Sequence, residues 1–169
     1  MYTKILVPID CSATSDRGLE EAVKLARLTG ARLRLLHVVD FFSYAIGMDG
    51  LAMTPDLVPA LRESGETIMK TGKARVDAAG VPVETALIES VAGRVSDLVV
   101  ADAKKWGADL IVIGTHGRRG VGRVFLGSDA EQIVRLAESP VLMVRSTGVP
   151  AVENSRAETL PDAASRHVD

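Results

Sequence analysis

Five short apolar runs alternate with four amphipathic stretches along this chain, and that alternation constrains the fold more than any other feature. The runs occupy 4–9, 32–39, 81–88, 109–114 and 140–145. Each has strand length and is bounded by glycine, proline or small polar residues. The stretches between them carry helical stripes. Leu19, Ala22, Val23 and Ala26 stand at i, i+3, i+4 and i+7 in a helix that Ser12 or Thr14 can cap and Gly30 ends. A second helix over 61–79 aligns Leu61, Gly65, Ile68, Gly72, Val76 and Ala79, and Gly80 closes it. Gly65 and Gly72 each cost a helix roughly 1 kcal/mol relative to alanine, which suits close packing against a neighbour. A third helix, capped by Ser90 and stopped by Gly107, carries Val95, Leu98, Val99, Ala103 and Trp106. A fourth, over 128–138, opens with the capping-box form Ser128-Asp129-Ala130-Glu131 and has Ala130, Ile133, Val134 and Ala137 on one face. The order β-α-β-α-β-α-β-α-β predicts a parallel sheet covered by helices on both faces. Its crossovers are expected to be right-handed. Pro82 places the third strand at an edge, or marks the strand's start.

The remainder of the chain bounds the class. A chain of 169 residues suits one domain, expected over 1–146, with a mobile tail over 147–169 where the composition turns to Ala, Ser, Pro and charge. A domain of this size buries roughly 70% of its unfolded surface and needs no disulfide or metal to fold. The single cysteine, Cys11, excludes an internal disulfide framework and fits a reducing compartment. A net charge of −2 argues against general affinity for nucleic acid or an anionic membrane. No apolar stretch approaches the roughly 18 residues of a membrane span. The N-terminus enters a strand at once, without the form of a signal peptide, so a cytoplasmic location is expected. Residues 41–59 show no period and read as a long loop, either a lid or interaction surface or a variable insertion.

Between the fourth run and the fourth helix lies Gly114-Thr115-His116-Gly117-Arg118-Arg119-Gly120-Val121-Gly122-Arg123-Val124-Phe125-Leu126-Gly127-Ser128. Glycine lets a backbone approach an anion closely. Helix-start N–H groups and the helix dipole attract negative charge. Arginines neutralise phosphate oxygens. The segment therefore has the composition of a phosphate cradle, although its spacing is neither that of the P-loop nor that of the dinucleotide fingerprint. Gly114 and Gly117 would admit ribose and phosphates, and Gly127 and Ser128 would hold phosphate by N–H and hydroxyl. Arg118, Arg119 and Arg123 are candidate phosphate ligands, with a solvated loop face as the alternative. Asp10 could accept from ribose hydroxyls or help hold a divalent ion, or could cap the first helix. Pro8, Ile9, Val38 and Ile113 could form an apolar slot beside the cradle or belong to the core. His116 lies inside the loop. His37 reads as a satisfied near-core residue, and no metal-ligand spacing occurs.

These residues carry a resemblance over 2–146. Gly114, Gly117, Gly127 and Ser128 fit the Gly-x2-Gly-x9-Gly-Ser/Thr signature of the universal stress proteins without a gap. Ile5-Leu-Val-Pro-Ile-Asp-Cys-Ser12 resembles that family's first strand and Asp-x-Ser turn, Leu36-His-Val-Val-Asp40 its second-strand ending, and Ser139-Pro-Val-Leu-Met-Val-Arg145 its last strand. The resemblance implies a five-stranded parallel sheet in order 3-2-1-4-5, a Rossmann-like fold akin to the adenine nucleotide alpha hydrolases. It implies ATP, with or without Mg, bound at a site that includes Thr115 and the residues named above. It also implies a homodimer formed through the last strand, whose ends are Val141 and Arg145. Pro8, Asp10 and Val38 match contact positions of the family, chiefly by backbone. Asp129 departs from the pattern, because ATP-binding relatives carry a small or apolar residue there. A carboxylate suits the helix dipole but opposes a close phosphate. The function implied is nucleotide-dependent regulation in a stress response. A slow ATPase or autophosphorylating protein using Asp10, His116 or Ser128 is one alternative, and an interaction module without nucleotide is the other.

Overall fold

The computed structural model describes residues 1–41, 57–115 and 127–145. Its strands are β1 (Lys4–Pro8), β2 (Arg32–Asp40), β3 (Val83–Ser90), β4 (Leu110–Gly114) and β5 (Val141–Val144), and its helices among the described residues are α1 (Ala13–Thr29), α2 (Leu57–Ala78), α3 (Val95–Trp106) and α4 (Ser128–Leu136). All strand pairs are parallel and the sheet order is β3-β2-β1-β4-β5, as expected. Pro82 precedes an edge strand, and its carbonyl accepts from Leu33 N–H at 2.8 Å. The tail over 147–169 and most of the expected loop, residues 42–56, lie outside the described residues.

Several boundaries differ from the sequence reading, the third strand running over Val83–Ser90 rather than 81–88, and three of the differences have a local reason. Helix α2 starts at Leu57 rather than 61, because Pro59 falls in its first turn, where the missing N–H costs nothing. Ser90 does not cap the third helix. It ends β3 opposite Asp40, and its hydroxyl donates to Ala92 O at 2.7 Å. The chain then turns through Gly93 at φ +92° before α3 begins at Val95. Ser128 is the first residue of α4 and not its cap. Gly127, which has no side chain to cap with, occupies the cap position, so the expected capping box does not form.

The period-2 alternation of the strands builds two cores. Ile5, Val7 and Ile9 of the first strand region join Leu33, Leu35, Leu110 and Val112 beneath α1 and α2. Leu6, Leu36, Ile111 and Ile113 join Val99 and Ala103 of α3 and Ala130 and Ile133 of α4 on the other face. Arg34 crosses the second face and forms a two-pronged pair with Asp102 of α3, at 2.7 and 3.0 Å. The Asp102 hydrogen bond, against the cost of burial, raises the arginine's pKa further. Arg34 also lies 5.8 Å from the Trp106 ring centroid.

The glycines of α2 do bring it close to the sheet. A Cβ on Gly65 would stand 2.8 Å from Val39 Cγ2 and 3.2 Å from the His37 ring, both stiff neighbours. At Gly72 it would meet the flexible tips of Ile9 at 2.7 Å and Leu35 at 3.2 Å. Gly65→Ala should therefore destabilise by about 1–3 kcal/mol through overpacking. Gly72→Ala should stay within about 1 kcal/mol of wild type, since methyl rotation and helix propensity offset the contact. Urea unfolding of the two variants measures the difference.

The start of β1 is clamped by Asp109. Its Oδ2 accepts from Thr3 N–H at 2.8 Å and Thr3 Oγ1 at 2.7 Å, and its Oδ1 from Lys4 N–H at 3.0 Å. Burial opposes ionisation most strongly of any single influence, yet the hydrogen bonds from Thr3 and Lys4 together outweigh it, and the pKa is lowered. A depressed folded pKa gives stability that is full above the unfolded value near about 3.9 and is lost as pH falls through the folded one. Asp109→Asn should lose stability at neutral pH and show a shallower acid decline below about pH 4 than wild type, followed by thermal unfolding against pH.

Candidate functional site

The connections leave β1 for β2 on one side and arrive at β4 on the other, so the sheet's switch point lies between β1 and β4. Open α/β sheets present ligand sites beyond the C-terminal strand ends at such a point. The β1–β4 ladder pairs Ile5 with Leu110 and Leu6 with Ile111. Asp10 and Thr115 thus follow the C-terminal ends of two adjacent strands.

After β1 the chain makes a tight turn. Ser12 N–H donates to Asp10 Oδ1 at 2.9 Å, and Cys11 between them takes a positive φ of 62°. Cys11 is exposed. Ser12 is the cap of α1, its hydroxyl accepting from Ser15 N–H at 3.1 Å. Ser15 Oγ in turn accepts from Asp10 N–H at 3.1 Å, and Ser12 and Thr14 hydroxyls lie 3.3 Å apart. Thr14 and Ser15 are buried. The sequence offered Ser12 or Thr14 as the cap; the structure selects Ser12 and gives Asp10 the task of folding the turn. Asp10 remains half-buried at the strand end.

On the other side of the switch point, Gly114 ends β4 and Thr115 follows it, buried, with its N–H donating to Val144 O at 3.0 Å. The Thr115 carbonyl accepts from Gly127 N–H at 2.9 Å. The segment between them is thus drawn together at its base. Gly127 has φ −59° and ψ 142°, and its carbonyl accepts the first helical bond from Glu131 N–H at 2.9 Å. The start of α4 carries Ser128 and Asp129 at this same end of the sheet. His116, Gly117, Arg118, Arg119 and Arg123 lie outside the described residues.

Gly114 has a role that the sequence reading missed. A Cβ there would stand 2.6 Å from Thr14 C, 2.7 Å from Thr14 O and 2.8 Å from Ser15 N. These are backbone atoms, so Gly114 is held against α1 on its side-chain side. Gly18 faces the same contact, its own Cβ position being 3.4 Å from Gly114 N. The available signal was Gly18 itself, a glycine inside a helix whose propensity it lowers.

The apolar candidates divide between the two faces. Val38 and Ile113 pack on the α3–α4 face, and strand alternation puts Pro8 with them. The Ile9 side chain points into the opposite core. Its N–H donates to Leu36 O at 2.8 Å, and its carbonyl accepts from His37 Nδ1 at 2.7 Å. A carbonyl only accepts, so His37 carries its proton on Nδ1. His37 is therefore a buried, bonded core residue, as its position in the sequence suggested. Among the described residues no group of three or more His, Cys, Asp or Glu side chains could hold a metal. No described helix is long and apolar enough to cross a membrane.

The described residues define a doubly wound α/β protein in which Asp10 and Thr115 follow the ends of the two strands that flank the switch point of its sheet. The chain belongs to the universal stress protein family, whose model matches residues 1–145. It is 32% identical over 145 residues to universal stress protein MJ0531 of Methanocaldococcus jannaschii, covering 86% of this chain and 83% of that protein. The solved structure of protein MJ0577, described as a structure-based assignment of biochemical function, aligns with a TM-score of 0.74 at 27% identity, over 86% of this chain and 97% of that one. An Archaeoglobus fulgidus universal stress protein solved in complex with dAMP shares the fold, with a TM-score of 0.60 at 22% identity over 85% of this chain and 98% of that one.

Proposed function

We propose that this stress-family protein binds ATP, or a related adenine nucleotide, at the switch point and acts through nucleotide-dependent conformation or partner binding. The observation that carries the reading is the Gly114-x2-Gly117-x9-Gly127-Ser128 spacing, whose two ends meet at the C-terminal edge of the sheet through the Gly127–Thr115 bond. The start of α4, where glycine holds the cap position, carries N–H groups of the kind that phosphate satisfies. Pro8 and Val38 supply apolar surface for the base; Ile9 and Ile113, with their side chains in the two cores, contribute shape only. Asp10 and Thr115 border the ribose side. Arg118, Arg119, His116 and Gly117 are proposed contacts by their place in the loop, and Asp129 is the residue most exposed to a bridging Mg. The dAMP complex belongs to its own protein, and at its low identity it supports only the fold.

Gly114 is a poor choice for testing this reading, since a side chain there meets α1 backbone. Gly127→Val with Ser128→Ala leaves that contact alone. By calorimetry, wild type should bind ATP with a Kd from about 1 μM to 1 mM, and the double variant should lose at least about 1.4 kcal/mol, a tenfold weakening. Absence of heat with wild type at millimolar ATP and Mg overturns the proposal.

A homodimer through the last strand is part of the same proposal. β5 is a sheet edge, and Leu142 and Met143 are 38% and 42% exposed on it. A strand edge of this kind pairs readily with a second copy. Light scattering should give twice the monomer mass for wild type, and Met143→Lys should shift it toward the monomer.

A further inference from the structure

We propose that Gly114 is a positioning residue, which serves the site by letting the first turn of α1 close onto β4 and so hold Asp10 beside Thr115. The inference rests on the nucleotide reading for its ligand but on packing alone for its mechanism. The signature glycine would ordinarily be taken to bare its backbone to the ligand. Here the space its side chain would fill holds the backbone of Thr14 and Ser15, at 2.6 to 2.8 Å from a Cβ. Backbone cannot rotate away as a side-chain tip can, so any side chain at 114 must lift the α1 start off the strand. The facing residue is also glycine, Gly18, with its Cβ position 3.4 Å from Gly114 N and 3.5 Å from Ile113 C.

Lifting α1 moves Asp10 with it. Ser15 Oγ holds the Asp10 N–H, Ser12 N–H holds the Asp10 carboxylate, and the Ser12 hydroxyl holds Ser15 N–H. The turn and the helix start form one hydrogen-bonded unit, with Thr14 and Ser15 buried against β4. Thr115 stays behind, because its N–H is tied to Val144 O on β5 and its carbonyl to Gly127 N–H. The first turn of α1 and the end of β4 therefore meet most closely at the Gly114 α-carbon, while Thr115 is also tied to β5 and to the start of α4.

The test compares Gly114→Ala with Val99→Ala, a core truncation on the opposite face whose side chain is fully buried. Both are studied at temperatures equally far below their own Tm. Amide exchange by NMR at Asp10, Ser12 and Ser15 should quicken about tenfold in Gly114→Ala and not in Val99→Ala. ATP affinity, where wild type binds, should fall about tenfold in the first and less than about twofold in the second. Should Gly114→Ala fail to fold, Gly18→Leu forces the same separation from the helix side and should show the same pattern. Gly18→Ala, whose added carbon makes only ordinary contact, should leave exchange and affinity as in wild type. Equal exchange in Gly114→Ala and Val99→Ala overturns the inference whether or not ATP binds. Failure of wild type to bind ATP overturns the nucleotide reading and leaves the exchange comparison to decide the packing role.

Discussion

Strand β1 has no face in water, and the rest of the molecule follows from that. Ile5, Leu6 and Val7 are wholly buried, with alternate side chains committed to opposite cores. A parallel pair cannot be joined by a tight hairpin, so each strand must return through a helix that covers one face. Helices α1 and α2 cover one face, and α3 and α4 the other. The change of side occurs at β1, and there the neighbouring connections part and leave a crevice. The site is thus a by-product of burying the central strand. Its location is fixed before any residue is chosen to line it.

Much of this was legible in the chain itself. The period-2 runs and 3.6-period stripes carry the element order, and the left-handed glycines at 30, 80 and 107 mark the helix ends where they were expected. Boundaries failed where a residue has two competing uses. Pro59 reads as a breaker but is harmless in a first turn. Ser90 and Ser128 read as caps, yet one is held in a strand by pairing with Asp40, and the other is moved inside its helix because Gly127 is tied to Thr115. Such preferences are settled by bonds to residues remote in sequence, which no local pattern contains.

The placement of Asp10 and Gly114 at the ends of the adjacent strands β1 and β4 was legible, and the packing of the residues around them less so. The spacing of the glycines gave the loop, but which side of a glycine is occupied is a property of packing. Gly114 turns its open side to a helix. Ile9, apolar and adjacent to Asp10, looked equivalent to Val38 and Ile113, but strand alternation sends it to the other core. His37 was read correctly because a polar residue ending an apolar strand has few ways to be satisfied, and the carbonyl of the adjacent strand end is one of them.

The bond from Gly127 N–H to the Thr115 carbonyl closes the glycine segment at its root, independently of what the segment contains. Closure entropy grows only with the logarithm of length, so doubling residues 116–126 would cost about 0.6 kcal/mol. The ladders that join β4 to β1 and β5 are made outside that segment. Within such a scaffold, ligand preference can drift in evolution, or be exchanged by grafting one relative's segment onto another, while the fold that carries it stays as it is.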